Sequence, residues 1–370
     1  MSENDSMLNE LKALAKSSVS RRSVLAGAGA VGAGSLLAAC GGGGGSNADV
    51  RWGNWTLYLD YDSKKKVYPT LEEFTKQTKI SVKYLEDYND NDEFYGKVQG
   101  QLKLKKDIGY DLICPTDWMA ARYIRLGYAQ KLDKANIPNA KNILPALASV
   151  PYDTDRSYSL TWQGIMGGFT WNKEKLPKGI HTLDELFAPA NKGKIEVLTE
   201  LRDTVGVIML AQGVDITKFT KDQYFNALDF LQKKIADGFI RQVKGNDYKE
   251  DLISGDAVAV IGWSGDAFQL AAENDGKFAF AIPESGGTIS ADNFIIPSTS
   301  KNKANVEKLI NYYYEPEVAA KVAAYVNYIT PVQGAQAAME KVDPNLVNNE
   351  LIFPSAKTQS MLHVFRNLTP

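Results

Sequence analysis

Four short segments set aromatic rings beside hydroxyls or carboxylates, each just after a stretch that reads as a β-strand. They are Trp55-Thr56-Leu57-Tyr58, Pro115-Thr116-Asp117-Trp118, Gly262-Trp263-Ser264-Gly265-Asp266 and Ala291-Asp292. Glu200 and Asp203, three apart at the start of a predicted helix, point to one side and add two more carboxylates. A carboxylate takes an ammonium group through charge-assisted hydrogen bonds. A methylene chain lies well on a flat ring, and a cation over a ring face gains about 0.5–2 kcal/mol more. The set suits a slender ligand, positive at its ends and apolar between, as a linear polyamine is. The same residues have ordinary uses too. Tryptophan and tyrosine fill cores, and an acidic pair caps a helix against its dipole. Residue types alone leave both readings open.

Composition removes several other chemistries. Only two histidines, His181 and His363, and two cysteines, Cys40 and Cys114, occur in 370 residues, so a zinc site or a Ser-His-Asp triad has little to draw on. There is no Gly-x-Ser-x-Gly elbow, His-Glu-x-x-His or phosphate loop. Carboxylates alone could hydrolyse glycosides, but nothing sets one of Glu200, Asp203 and Asp292 apart as an acid. The expected protein is therefore not an enzyme and carries no cofactor or metal. Beyond residue 40 the chain has 38 basic and 41 acidic residues, a balance that argues against nucleic acid. A sugar would ask for more amides and fewer convergent carboxylates. The run Tyr312-Tyr313-Tyr314 raises a ferric-ion site, but it ends a predicted helix, so the three rings cannot converge.

The elements that must position these residues alternate. A strand from residue 50 runs into Trp55. A helix over 68–78 is followed by alternation at Ile80, Val82 and Tyr84, a helix over 94–106 and a buried strand over 110–114 that contains Cys114. After about residue 158 the pattern resumes: strand 194–198, helices 202–212, 224–236 and 249–253, strand 257–262, strand 292–297, and helices 302–314 and 317–326. Strand–helix alternation of this kind predicts an α/β fold with a largely parallel sheet in two lobes. Ligands in such sheets bind beyond the carboxyl ends of the strands, where the quoted segments fall. How often the chain crosses between the lobes stays open at this level.

The amino-terminal end has its own logic. Ser20-Arg21-Arg22-Ser23 opens a Gly/Ala-rich apolar run that is shorter than the roughly 20 residues of a membrane-spanning helix. It resembles a twin-arginine export signal. Leu37-Ala38-Ala39-Cys40 resembles a lipobox, which would make residues 1–39 a signal peptide, Cys40 the lipidated residue and 40–48 a Gly-rich tether. The expected location is extracytoplasmic, anchored by lipid to the cell membrane in the periplasm or on the outer face.

Several motifs, in order, resemble the spermidine- and putrescine-binding proteins of bacterial ABC importers over about residues 50–354. They are Asn54-Trp55-Thr56-Leu57-Tyr58, Tyr110-Asp111-Leu112-Ile113-Cys114-Pro115-Thr116, Leu198-Thr199-Glu200-Leu201-Arg202-Asp203, Leu252-Ile253-Ser254-Gly255-Asp256, Gly262-Trp263-Ser264-Gly265, Asp292-Asn293-Phe294-Ile295-Ile296-Pro297 and Tyr328-Ile329-Thr330-Pro331. The resemblance implies a two-lobed periplasmic-binding-protein-like α/β fold of type II, with the cleft between lobes and several crossovers at the hinge. It implies lobe one at 49–160 plus 293–335 and lobe two at 161–292 plus 336–370. Trp55, Tyr58, Thr116 and Trp118 would line the cleft from the first lobe. Glu200 and Asp203 would meet one end of the polyamine, Trp263 would stack on the chain, Asp292 would take an amine, and Tyr328 would close the set. The implied partners are an ABC permease and its ATPase, and the protein would be a monomer. Two positions depart from the family pattern: Ser290 stands where a second tryptophan is usual, and Phe365 where an amide is usual.

Overall fold

The computed structural model describes residues 48–368. The expected signal peptide, Cys40 and all but the last residue of the tether lie outside the described residues. No helix among the described residues is long and apolar enough to cross a membrane.

The chain enters on β1 (Val50–Trp55) and continues through α1 (Pro69–Thr78), β2 (Val82–Tyr88), α2 (Asn91–Lys103), β3 (Leu112–Ile113) and α3 (Asp117–Arg125). β1 pairs in parallel with β2 and β3, as strand–helix–strand units require. Local chemistry fixes the helix starts. Pro69 occupies the first turn of α1, where a missing N–H costs nothing, and Asp90 caps α2 by accepting from the Glu93 N–H at 2.9 Å.

The long β4 (Ser159–Asn172) then leaves this sheet for a second set of elements. These are α4 (Leu183–Leu186), β5 (Ile195–Leu198), α5 (Leu201–Ala211), α6 (Lys221–Ala236), β6 (Ile240–Lys244), α7 (Tyr248–Ser254), β7 (Ala259–Trp263), α8 (Ser264–Glu273) and β8 (Phe278–Ala281). β9 (Gly287–Ile295) returns antiparallel to β4, with Gly167 opposite Thr288 at one end and Ser159 opposite Ile295 at the other. The order β2-β1-β3-β9-β4-β7-β5-β6 thus joins two half-sheets through β4 and β9, with β8 beside β4. The chain continues through α9 (Lys303–Tyr313), α10 (Pro316–Val326), α11 (Ala335–Val342) and α12 (Ala356–Ser360) to β10 (Leu362–His363), which pairs with β9. The fold is α/β and two-lobed, and the chain crosses between lobes repeatedly. Met339 and Ile352 bury against Ala320 and Ala323 of α10, whereas β10 joins Gly287 and Thr288.

Burial of large rings holds the first half-sheet. Trp52 is fully buried and meets Trp162, Phe294 and Tyr313 at ring-centre distances of 5.3, 5.8 and 5.3 Å. A buried aromatic pair adds about 0.5–1.5 kcal/mol beyond its area. Cys114 is buried, accepts from the Trp52 indole at 3.2 Å, and has its thiol pushed up by burial. Tyr312, Tyr313 and Tyr314 are all core residues, and the Tyr314 hydroxyl donates to the Thr161 carbonyl at 2.7 Å.

Candidate functional site

The loop after β1, the starts of α2 and α3, and the ends of β5 and β7 face one another across β4 and β9. They line a narrow cavity between them. From the elements before β4 come Trp55, Thr56, Tyr58, Asp90, Asn91 and Thr116, and from the stretch after α10 comes Tyr328. β4 and β9 contribute Ile165, Ser290 and Asp292, and the elements between them contribute Glu200, Asp203, Asn246, Trp263 and Asp266.

Each carboxylate is held differently. Glu200 caps α5, accepting from the Arg202 N–H at 3.3 Å and from the Trp118 indole at 2.9 Å. Its side chain also pairs with the Arg202 guanidinium at 3.5 Å. Burial pushes the Glu200 carboxyl up to about 7 against the opposing pull of Arg202. Asp203, one turn into α5, accepts from the Trp263 indole at 2.8 Å and from the Thr288 hydroxyl at 2.5 Å. Burial raises its carboxyl despite those bonds. Asp292 is 1% exposed and accepts from the Thr116 hydroxyl at 2.6 Å. Burial drives its carboxyl well above the ordinary range, against the opposing pull of the Thr116 and Tyr58 hydroxyls, which do not replace water around a charge. Asp266 takes three donors: the hydroxyls of Tyr248 and Tyr328 at 2.9 and 3.0 Å and the Lys249 ammonium at 3.2 Å.

Rings form the walls. Trp55 is fixed by donating its indole N–H to the Cys114 carbonyl at 2.9 Å, and it meets Trp263 edge to face at 6.1 Å. Tyr58 and Tyr328 meet edge to face at 5.0 Å. Gly265 makes room for Tyr328, because a Cβ there would fall 2.3 Å from its ring. The buried Tyr58 hydroxyl is turned toward Asp292, and Asn246 Oδ1 has no hydrogen-bond partner among the described residues.

Direct bonds also join the two rims of the cleft. The Thr199 hydroxyl donates to Asp90 Oδ2 at 2.6 Å, and the Asn246 and Asp247 amides donate to Asn89 at 3.1 and 3.2 Å. Gln269 reaches the Leu57 carbonyl at 2.8 Å. Among the described residues no cluster of three or more His, Cys, Asp or Glu side chains could hold a metal ion.

The bacterial extracellular solute-binding protein family matches residues 70–352. The chain belongs to that family. The spermidine/putrescine-binding periplasmic protein of Escherichia coli K12 is 29% identical over 310 residues, covering 82% of this chain and 85% of that one. A solved structure from Listeria monocytogenes aligns with a TM-score of 0.73 at 25% identity, over 86% of this chain and 94% of that one. The spermidine/putrescine ABC transporter substrate-binding protein PotD of Streptococcus pneumoniae aligns with a TM-score of 0.69 at 23% identity, over 86% and 93% of the two chains.

In this solute-binding protein, eight of the residues singled out from sequence line one cavity: Trp55, Tyr58, Thr116, Glu200, Asp203, Trp263, Asp292 and Tyr328. Trp118 does not line it. It sits in the first turn of α3 behind Glu200, with the Arg202 guanidinium 4.0 Å above its ring. Asp292, expected in a loop after a strand and as the first residue of a strand over 292–297, lies inside β9. Ser290 does line the cavity, two residues from Asp292 on the same strand face. Phe365 lies elsewhere, packed on Phe219 at 5.0 Å. Asp90, Asn91 and Asn246 were not anticipated, because they meet the site only through contacts distant in sequence, such as Asn91 Nδ2 to the Thr116 hydroxyl at 2.8 Å.

Proposed function

We propose that this protein captures linear polyamines of the spermidine/putrescine class and delivers them to an ABC permease and its ATPase. The observation that carries this reading is a cavity walled by Trp55, Tyr58, Trp263 and Tyr328, into which the buried carboxylates Glu200, Asp203 and Asp292 converge. Glu200 has Arg202 beside it, but burying Asp203 and Asp292 without an ion-pair contact costs several kcal/mol. An ammonium brought by the ligand offsets that cost, and the methylene chain fills the space between rings. A slot this narrow favours a slender chain over a sugar ring. The names of the relatives agree with that ligand.

In this reading Asp292 and Asp203 take ammonium groups, Glu200 adds charge at the Asp203 end, and Trp118 positions Glu200. The ligand touches both lobes, so binding shifts the open–closed equilibrium to the closed form. We place lobe one at about 49–160 plus 293–353 and lobe two at 161–292 plus the remaining tail. The chain acts as a monomeric carrier, not an enzyme. It is lipid-anchored through Cys40 outside the cytoplasmic membrane. Isothermal titration with putrescine, spermidine and spermine at low and high salt tests the ligand. One-to-one binding that weakens with salt is expected. Absence of heat with all three, from folded and ligand-free protein, would overturn the polyamine reading.

A further inference from the structure

The cavity carboxylates divide by whether the protein supplies its own cation. Two are paired from within: Glu200 with Arg202 at 3.5 Å and Asp266 with Lys249 at 3.2 Å. Both cations are built in. Arg202 is sandwiched over the Trp118 ring, and Lys249 is 8% exposed on α7 with its ammonium turned to Asp266. Asp90 faces the start of α2, accepting from the Glu93 N–H at 2.9 Å and the Thr199 hydroxyl at 2.6 Å. Asp203 and Asp292 differ. Among the described residues neither has an ion-pair contact: Asp203 accepts from the Trp263 indole and the Thr288 hydroxyl, with the Arg202 charge acting on it only from a distance, and Asp292 is held by the Thr116 and Tyr58 hydroxyls.

Asp292 and the residue that holds Asp203 share one strand. Thr288, which holds Asp203, and Asp292 lie four residues apart on the same face of β9, about 13 Å along the strand, with Ser290 between them. Both side chains lean into the slot, so a short chain passing over Ser290 reaches both.

We infer that the cavity is charge-matched to a linear diamine, and that Lys249 sets this preference by occupying Asp266 as a resident ammonium. The inference rests on the polyamine reading above and narrows it. Two ammonium groups neutralise Asp203 and Asp292 and leave only Asp90, whose charge is met by the start of α2. A third, as in spermidine, finds Asp266 already neutralised and already accepting three hydrogen bonds. To bind there it must displace Lys249, which is held in place by burial, or remain unpaired in a closed cavity; either choice costs affinity. Lys249 acts through Asp266, so it is a positioning residue and not a ligand contact.

The test is titration of putrescine and spermidine into wild-type protein and into Lys249→Met and Lys249→Arg. Wild type is expected to bind putrescine at least ten-fold tighter than spermidine. Lys249→Met, which keeps the apolar stem and removes the charge, is expected to shrink or reverse that ratio at least ten-fold, through tighter spermidine binding. Lys249→Arg is expected to retain it. A purely structural role for Lys249 would weaken both amines in parallel, and that outcome overturns the inference. So does a wild type that prefers spermidine, a measurement that stands even if Lys249→Met does not fold. A wild type that binds neither amine brings down the polyamine reading itself.

Discussion

Two groups of buried carboxylates lie at opposite ends of β5, and they differ in who neutralises them. At its beginning, Glu196 is fully buried, yet Arg241 donates to it at 2.6 Å. Arg241 also pairs with Asp251 at 2.9 Å and Asp256 at 3.2 Å, and Lys244 completes the cluster on Asp251. Beyond its end, Glu200 and Asp203 open onto the cavity with Asp292, and among the described residues only Glu200 makes an ion pair with an arginine. A buried carboxylate by itself is therefore a poor marker of function. The informative case is a buried carboxylate whose counter-charge is missing from the fold while rings leave a channel leading to it.

The sharpest way to break that contrast is to neutralise one carboxylate from each group. Asp292→Asn is expected to weaken polyamine binding at least about 30-fold, since removing one partner of a desolvated charge pair costs about 2–5 kcal/mol. The unliganded variant should be no less stable, because burial already disfavours the Asp292 charge. Asp251→Asn should do the reverse. Affinity stays unchanged, while Arg241 and Lys244 lose a shared acceptor and stability falls by about 1–2 kcal/mol, near the low end for a partly exposed pair. Calorimetry and urea unfolding on both variants separate the two. Parallel losses of affinity would mean the groups are not distinct.

A second contrast is in pH. Burial and the neighbouring Asp251 push the Glu196 carboxyl up to about 8 from an ordinary 4.5. A carboxyl raised on folding favours the protonated native state, so its contribution to stability is complete below about 4.5 and is lost as pH rises through about 8. Glu196→Gln removes that loss. Its stability relative to wild type is expected to rise between pH 5 and pH 9 by on the order of 1–3 kcal/mol, read by denaturant midpoints at the two values. A relative stability that stays flat or falls would show that Arg241 keeps Glu196 ionised throughout.

How far such a site can be read beforehand depends on how local its geometry is. Trp55, Thr116 and Trp263 were legible because they follow short strands whose apolar runs are plain, and strand ends are where such clefts form. Glu200 and Asp203 were legible because cap and first-turn spacing is a local rule. The joining strands were not. β4 is wholly buried and carries Gly164, Gly167 and Gly168, so it shows neither alternation nor a clear β-branched run. β9 begins with Gly287 and passes Ser290, and only its apolar end looked like a strand, which put Asp292 at a strand start and not inside β9. Asn89-Asp90-Asn91 reads as a turn. Its place in the site comes from Thr199, 109 residues from Asp90, and no local pattern reports a contact made by closing the two lobes.

That closing contact offers the mildest test. Gly245 meets Asn89 so closely that an added Cβ would fall 2.5 Å from the Asn89 carbonyl oxygen. The adjoining Asn246 amide donates to that same oxygen at 3.1 Å. Gly245 lines no part of the cavity, so Gly245→Ala leaves Asp203, Asp292 and the rings untouched while holding the rims apart. Ligand affinity is expected to fall about 3–10-fold, as ~1 kcal/mol of closure energy is lost, with a thermal midpoint within a degree or two of wild type. Water then reaches the cavity carboxylates in the unliganded form, which should lower the raised Glu200 titration and leave Glu196 where it was. Full affinity with unchanged titration would show that the cleft closes on its ligand without the Asn89 contact. The desolvation that distinguishes the cavity would then come from β4 and β9 alone.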